Sequence, residues 1–196
     1  MAGLNADFLP RSTLEAAGFR ALGEDVRVHA TAVLVGCETI TLGSRVRIDP
    51  YVVLSVSGGL TLGDNIHIAS HCSLSGRAAI EMADFSGLSQ GVRVFSSTDD
   101  YGGEALTNPT VPEAFKRVQT APVRLDRHAI VGAGAILLPG AHLGEGTAVG
   151  ALSLVKGSLA PWSIYLGVPA RRLRDRSRGL TAHEAAYLAS LGQHPQ

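Results

Sequence analysis

ALGEDVRVHATAVLVGCETI (residues 21–40), TLGSRVRIDPYVVLSVSGGL (41–60), TLGDNIHIASHCSLSGRAAI (61–80) and EMADFSGLSQGVRVFSSTDD (81–100) are four versions of one 20-residue unit. Aliphatic residues recur in register at Leu22, Leu42, Leu62 and Met82, then at Val28, Ile48, Ile68 and Leu88, and again at Leu34, Leu54, Leu74 and Val94. Within a unit these positions lie six apart, and Gly23, Gly43, Gly63 and Ala83 follow the first of them. A fixed period of apolar then small residues is the mark of a parallel β-helix, in which each repeat is one coil stacked on the last. Each coil should hold three short strands and three corners, with neighbouring coils roughly 4.8 Å apart along the axis. Residues 20 apart then become neighbours on one face.

Beyond residue 122 the beat shortens to strict hexads at Leu125, Val131, Leu137, Leu143, Val149 and Val155, with Gly132, Gly144 and Gly150 next to three of them. Ala129, Ala135, Ala141, Thr147 and Ser153 supply a second small residue, because a narrow triangular interior has room for one large side chain per strand. At 196 residues one domain is expected. The 5% aromatic content and 23 glycines suit a thin β-helix better than a globular α/β core.

Seventeen basic and seventeen acidic residues cancel, so no polybasic surface for nucleic acid or membrane is indicated. No apolar run approaches the roughly 18 residues of a membrane span, and no signal-peptide core opens the chain. Cys37 and Cys72 take core-facing register positions and read as small hydrophobes in a reducing compartment, which points to the cytoplasm. Two helical caps are expected. Ser12-Thr13-Leu14-Glu15 has the form of a capping box, as does Thr181-Ala182-His183-Glu184 ahead of AAYLASL, which should stop at Gly192. Helices at solenoid ends cover strand edges.

One segment obeys neither period: FSSTDDYGGEALTNPTVPEAFKRVQTAP, residues 95–122. A loop of this length inside a compact domain is usually functional. Leu106, Val111, Phe115 and Val118 make it too apolar for a solvated linker. The expected organisation is an N-terminal helical cap (1–20), β-helix coils (21–95), an excursion loop (96–122), further coils (123–160) and a C-terminal segment with a helix (161–196).

TLGDNIHIAS, VGAGAILLPGAHLGEGTAVGALSLV and LGVPARRLRDRS together resemble the hexapeptide-repeat acyltransferases, in particular the galactoside and maltose O-acetyltransferases and the sugar acetyltransferases of surface-polysaccharide and lipopolysaccharide pathways. The resemblance runs from about residue 21 to 177 and implies an all-β, left-handed parallel β-helix. It also implies a homotrimer that binds acetyl-CoA as cosubstrate between adjacent prisms, with no metal. The acceptor would be a sugar or nucleotide-sugar hydroxyl or amine, attacking the thioester directly while a protein base takes its proton. In the resembled enzymes that base is a histidine just after the last strand before the loop, where this chain has Asp99.

Either another histidine or the carboxylate therefore serves. His67 and His128 are the candidates, as outward strand residues on the side where the donor is expected, with Asp99 nearby to set tautomer and basicity. His29 and His142 read as surface residues, His71 as a neighbour of Tyr51 in register, and His183 and His194 as solvated tail. By the same resemblance Ala133 and Ala151 line the pantetheine track, Lys156 stands near the family's basic donor contact, and Arg171 and Arg174 match residues near the nucleotide phosphates, which a guanidinium fork suits. Two other readings share the prism. A γ-type carbonic anhydrase would need a three-histidine zinc site, which His67 and His71, four apart, fit poorly. A non-catalytic trimeric scaffold would leave Ala133, Ala151 and Arg171 without purpose.

Overall fold

A computed structural model describes residue 4 and residues 7–191. The repeats build a triangular prism of parallel sheets. The first sheet has seven strands, from Ala21–Leu22 to Ser158–Leu159. The second has eight, from Arg27–Val28 to Ser163–Leu166, closed by Arg171–Asp175. The third has six, from Val33–Val35 to Leu154–Val155. The predicted registers hold: Ile40 pairs with Leu60 and Leu42 with Leu62, Ile48 with Ile68 and Leu54 with Leu74. After the loop Leu125 pairs with Leu143, Val131 with Val149 and Leu137 with Val155. These residues form one continuous buried column.

Stacking identical corners at this spacing explains the glycines. A Cβ on Gly43 would lie 2.6 Å from the carbonyl carbon and oxygen of Gly63, and one on Gly23 would lie 2.4 Å from the carbonyl carbon of Gly43. One place further on, a polar ladder closes the same corner. Glu24 N–H donates to Ser44 Oγ (3.0 Å), Ser44 N–H to Asp64 Oδ1 (2.8 Å) and Asp64 N–H to Asp84 Oδ1 (2.9 Å).

The next residue in each coil, Asp25, Arg45, Asn65, Phe85, His128, Gly146 and Trp162, turns the chain with positive φ. That conformation costs a non-glycine residue roughly 1–2 kcal/mol. It persists because, from the second coil on, each such N–H meets a carbonyl of the preceding coil, as in Arg45 to Glu24 O (2.7 Å), Phe85 to Asp64 O (2.9 Å) and His128 to Asp84 O (3.2 Å). Tyr51, His71 and Leu152, with Gly91 and Gly134 between the last two, repeat the device at the second corner.

Both helical caps form, but neither uses its capping box. Helix α1 spans Arg11–Ala16 behind Pro10, which has φ −58° and caps without a side-chain bond. The fixed proline angle starts the helix ahead of Ser12, and Glu15 pairs with Arg11 (2.8 Å) instead of turning back. Helix α2 spans Leu180–Leu191 and so already includes Thr181, whose hydroxyl donates to Arg178 O (2.9 Å). Glu184 turns to the first corner, where it takes Arg127 Nε and His128 Nε2 at 2.8 Å each. The Tyr187 hydroxyl donates to Asn65 Oδ1 (2.9 Å), and its ring stands edge-on to Phe85. The expected stop at Gly192, and His194, lie outside the described residues. The last coil strand, Ser163–Leu166, runs past residue 160, and Arg171–Asp175 folds back antiparallel on it.

Gly43→Ala is expected to destabilise the chain by about 1–3 kcal/mol, because backbone rather than a movable side chain meets the new methyl. Gly157→Ala, where nothing lies within 4 Å, should stay within about 0.5 kcal/mol of the parent. Thermal denaturation of the two variants checks this.

Candidate active site

The excursion leaves the prism at the third sheet. Its first and last residues, Ser97–Thr98 and Gln119–Thr120, pair antiparallel, and Ala121 N–H donates to Ser96 O (3.1 Å). The coil is then resumed without a gap, since Met82 pairs directly with Leu125. The loop is internally built. Asp100 Oδ1 accepts the N–H of Gly102 (2.8 Å), and its Oδ2 accepts those of Glu104 (2.8 Å) and Ala105 (2.9 Å). The bond from Gly102, with the others, holds this carboxyl below its ordinary range.

Beneath the loop lies a cavity of about 590 Å³. Phe95, Val118, Leu138 and Pro139 form its apolar wall, and its titratable groups are Arg77, Asp99, Tyr101 and Lys116. Asp99 stands in the wall of this cavity, with its Oδ2 accepting the N–H of Asn108 (3.2 Å).

The two histidine candidates lie elsewhere in the chain. His67 faces outward on the second sheet, half exposed, with Nε2 2.8 Å from Asp49 Oδ2. Arg47 Nε takes the other oxygen at 2.6 Å. Burial pushes the Asp49 carboxyl up, but the bonds from His67 and Arg47 outweigh it and hold it below the usual range. A proton on Nε2 satisfies that bond and leaves Nδ1 free to accept.

His128, expected outward on a strand, sits instead at a positive-φ corner with its side chain 7% exposed. It stacks on Phe85 (centroids 5.3 Å apart) and is bonded to Glu184 of α2. Neither His67 nor His128 lines the cavity that holds Asp99. His29, expected at the surface, is 4% exposed, with Nδ1 2.9 Å from Thr31 Oγ1. His142 is an outward residue bonded to Asp126 (2.8 Å), and His71 stacks on Tyr51 (5.0 Å). Cys72 is buried, and burial pushes its thiol up to about 11, whereas Cys37 is only half-buried in a 3-10 turn.

Of the residues expected at the donor, two are neighbours. Ala133 and Ala151 are successive steps of the second corner, joined through Leu152 N–H to Ala133 O (2.9 Å). From Ala133 the strand Ile136–Leu137 runs straight to Leu138 in the cavity wall. That strand pairs in the third sheet with Arg93–Val94, from which the excursion departs, so the sheet joins the corner to the cavity wall. Lys156, Arg171 and Arg174 are exposed at the C-terminal end of the prism. Tyr101 and Lys116 were not read as site residues because they lie outside both periods, and Arg77 was not because it occupies an outward place within the 61–80 unit. The available signal was the basic pair Lys116-Arg117 set between Phe115 and Val118.

No family model matches the chain. Among curated proteins it is 35% identical, over 93% of its length and 96% of the relative's, to dTDP-4-amino-4,6-dideoxy-D-glucose acyltransferase of Escherichia coli. Among solved structures it superposes with a TM-score of 0.92 and 38% identity on AntD, an N-acyltransferase from Bacillus cereus in complex with dTDP and 3-hydroxybutyryl-CoA, covering 95% of this chain and 99% of that one. A variant of AntD in complex with dTDP-4-amino-4,6-dideoxyglucose and coenzyme A gives a TM-score of 0.91 at 38% identity, over 94% and 98% of the two chains.

Asp100→Ala should release the loop while leaving the coils intact. Amide exchange at Gly102, Glu104 and Ala105 is expected to accelerate by about tenfold or more, since charge-assisted bonds are lost there, with exchange in the 60–80 coil unchanged. Exchange mass spectrometry on parent and variant checks it.

Proposed function

The chain belongs to the hexapeptide-repeat sugar acyltransferases, acyl-CoA-dependent enzymes, and we propose that within that family it acylates the amine of a nucleotide-linked amino sugar, with Asp99 as proton acceptor. The observation that carries this is the cavity under the excursion loop, whose titratable groups include a carboxylate and, among the described residues, no imidazole. A neutral amine already carries its nucleophilic lone pair. It attacks the thioester carbonyl carbon, and its own proton becomes acidic only as the C–N bond forms, when a carboxylate suffices to take it. The C–S bond then breaks and the thiolate leaves to be protonated as free coenzyme A. A sugar hydroxyl must lose its proton as it attacks and calls for a stronger base such as imidazole. The relatives that act on, or are bound to, a dTDP-amino sugar support the same choice. They also set aside the carbonic anhydrase and scaffold alternatives.

The acyl-CoA arm runs along Ala133 and Ala151, where small side chains leave the corner open. Lys156, Arg171 and Arg174 lie toward its phosphates. His128 serves to hold α2 on the first corner. The assembly is a homotrimer. Val33, Val35, Tyr51 and Val53 form an exposed apolar strip on the third sheet and its corner, 40–58% exposed in the single chain, which a neighbouring prism would cover. Residence is cytoplasmic, in keeping with the free Cys37 and Cys72 and the absence of a helix long and apolar enough to cross a membrane among the described residues. A second reading rests on the His67–Asp49 pair. If a neighbouring prism brought that half-exposed imidazole over the cavity, a hydroxyl acceptor would be served.

Asp99→Asn is expected to lower kcat by about 10²–10⁴-fold at saturating acyl-CoA, followed by thiol release with a dTDP-amino sugar, while His67→Ala stays near the parent value. The reverse result makes His67 the base in place of Asp99. Light scattering should give three times the 20.4 kDa chain mass. Ala151→Trp should abolish coenzyme A binding in a particle of that same mass, because the side chain points outward.

A further inference from the structure

Two cations under the excursion loop converge on a single carboxylate. Arg77, just past the Ser73–Gly76 strand, donates Nη1 to Glu113 Oε2 (2.7 Å) and Nη2 to Glu113 Oε1 (2.8 Å). Lys116 Nζ reaches the same Oε1 at 2.8 Å. The Arg77 bond first, and then that from Lys116, pull the Glu113 carboxyl down to about 2. Arg77 and Lys116 both line the cavity that holds Asp99, whereas Glu113 does not.

The burial of the partners is unequal. The Lys116 side chain is 3% exposed and that of Glu113 is 66% exposed. An ammonium taken out of water is costly unless an anion meets it, yet an ion pair whose acid stands in solvent contributes little to stability. Tying down the loop is therefore a weak reason for burying a lysine here. A guanidinium fork beside an ammonium, both turned on one pair of oxygens, is instead the arrangement that a phosphate group requires.

We infer that Arg77 and Lys116 form the diphosphate subsite for the nucleotide-linked acceptor, and that Glu113 is an internal stand-in which the diphosphate displaces. This rests on the acceptor reading above. With the diphosphate on the two cations, the sugar ring lies toward Asp99 in the same cavity, and an amine across the ring from the anomeric phosphate faces the carboxylate. Asp99 is near enough to Arg77 to add, after Glu113, to the guanidinium's hold on its proton. Tyr101, 92% exposed and part of the same lining, offers a ring on which the base can stack.

The test is calorimetric titration of the full-length protein with dTDP, alongside KM for dTDP-4-amino-4,6-dideoxyglucose measured by thiol release. Arg77→Gln and Lys116→Met should each weaken dTDP binding by about tenfold or more and raise KM in parallel, with coenzyme A affinity unchanged. Lys116→Arg, which restores the charge, should recover most of the loss, and this separates charge from folding. Glu113→Gln should tighten dTDP binding severalfold, because no carboxylate then competes for the cations. If Glu113→Gln weakens dTDP as Arg77→Gln does, Glu113 props the loop and the stand-in is refuted. If the parent turns over the amino sugar while Arg77→Gln and Lys116→Met bind dTDP normally, the subsite is wrong and the acceptor reading survives. If the parent neither binds dTDP nor releases thiol with the amino sugar, the acceptor reading itself has failed.

Discussion

The distance between successive coils governs this molecule. Parallel strands hydrogen-bond at roughly 4.8 Å, so every residue lies directly under its equivalent in the next coil, and whatever a corner needs it needs repeatedly. Backbone-to-backbone approach at the first corner excludes even a methyl group at Gly23 and Gly43. The carboxylate and hydroxyl ladder of Ser44, Asp64 and Asp84 supplies acceptors to N–H groups that point along the axis. The positive-φ residues that follow carry a local cost at each step, offset by a hydrogen bond to the coil before.

The same regularity explains where function can reside. A prism with every corner committed to stacking has no interior to spare. The cavity is made where the excursion leaves the end of one third-sheet strand and covers its coil neighbours. The coil is spliced behind it so closely that Met82 still pairs with Leu125. Asp100 shapes the loop from within through three N–H groups, which leaves the adjacent Asp99 facing the enclosed space. The two neighbouring carboxylates thus do different work, one building backbone and one available for chemistry. The two cations of the cavity wall, Arg77 and Lys116, are met by Glu113 from outside it, and Asp99 stands in the same wall.

At the C-terminal end the repeat is closed by polar contacts. Arg176 is buried enough for its guanidinium to lose some of its hold on the proton, and it donates to the carbonyls of His128 (2.9 Å) and Gly146 (3.0 Å), two successive corners of one column. Glu184 and Tyr187 carry α2 along that column. The Glu184 carboxyl is held low by Arg127 first and His128 next. The helix thereby covers the corner at which Phe85, His128 and Trp162 cluster, the first two stacked and the third tilted against His128.

Sequence alone determined the coil, its register and the place of the excursion, because all three follow from periodicity. Leu42 over Leu62 and Val131 over Val149 need only a count of residues, and a loop announces itself where the count breaks. That Ala133 and Ala151 are successive steps of one corner was legible for the same reason. Only the tertiary structure decided which side chains meet across unequal separations. Glu184 reaches His128 from 56 residues away, Glu113 reaches Arg77 from 36, and Tyr187 reaches Asn65 from 122. No period links those numbers. They arise from how an aperiodic loop and a terminal helix pack on a periodic body, and that packing is set by shape and charge in three dimensions. So Asp99 could be picked out by its place in the chain, but its cavity, its cationic neighbours Arg77 and Lys116, and the burial of His128 became visible only in the folded molecule.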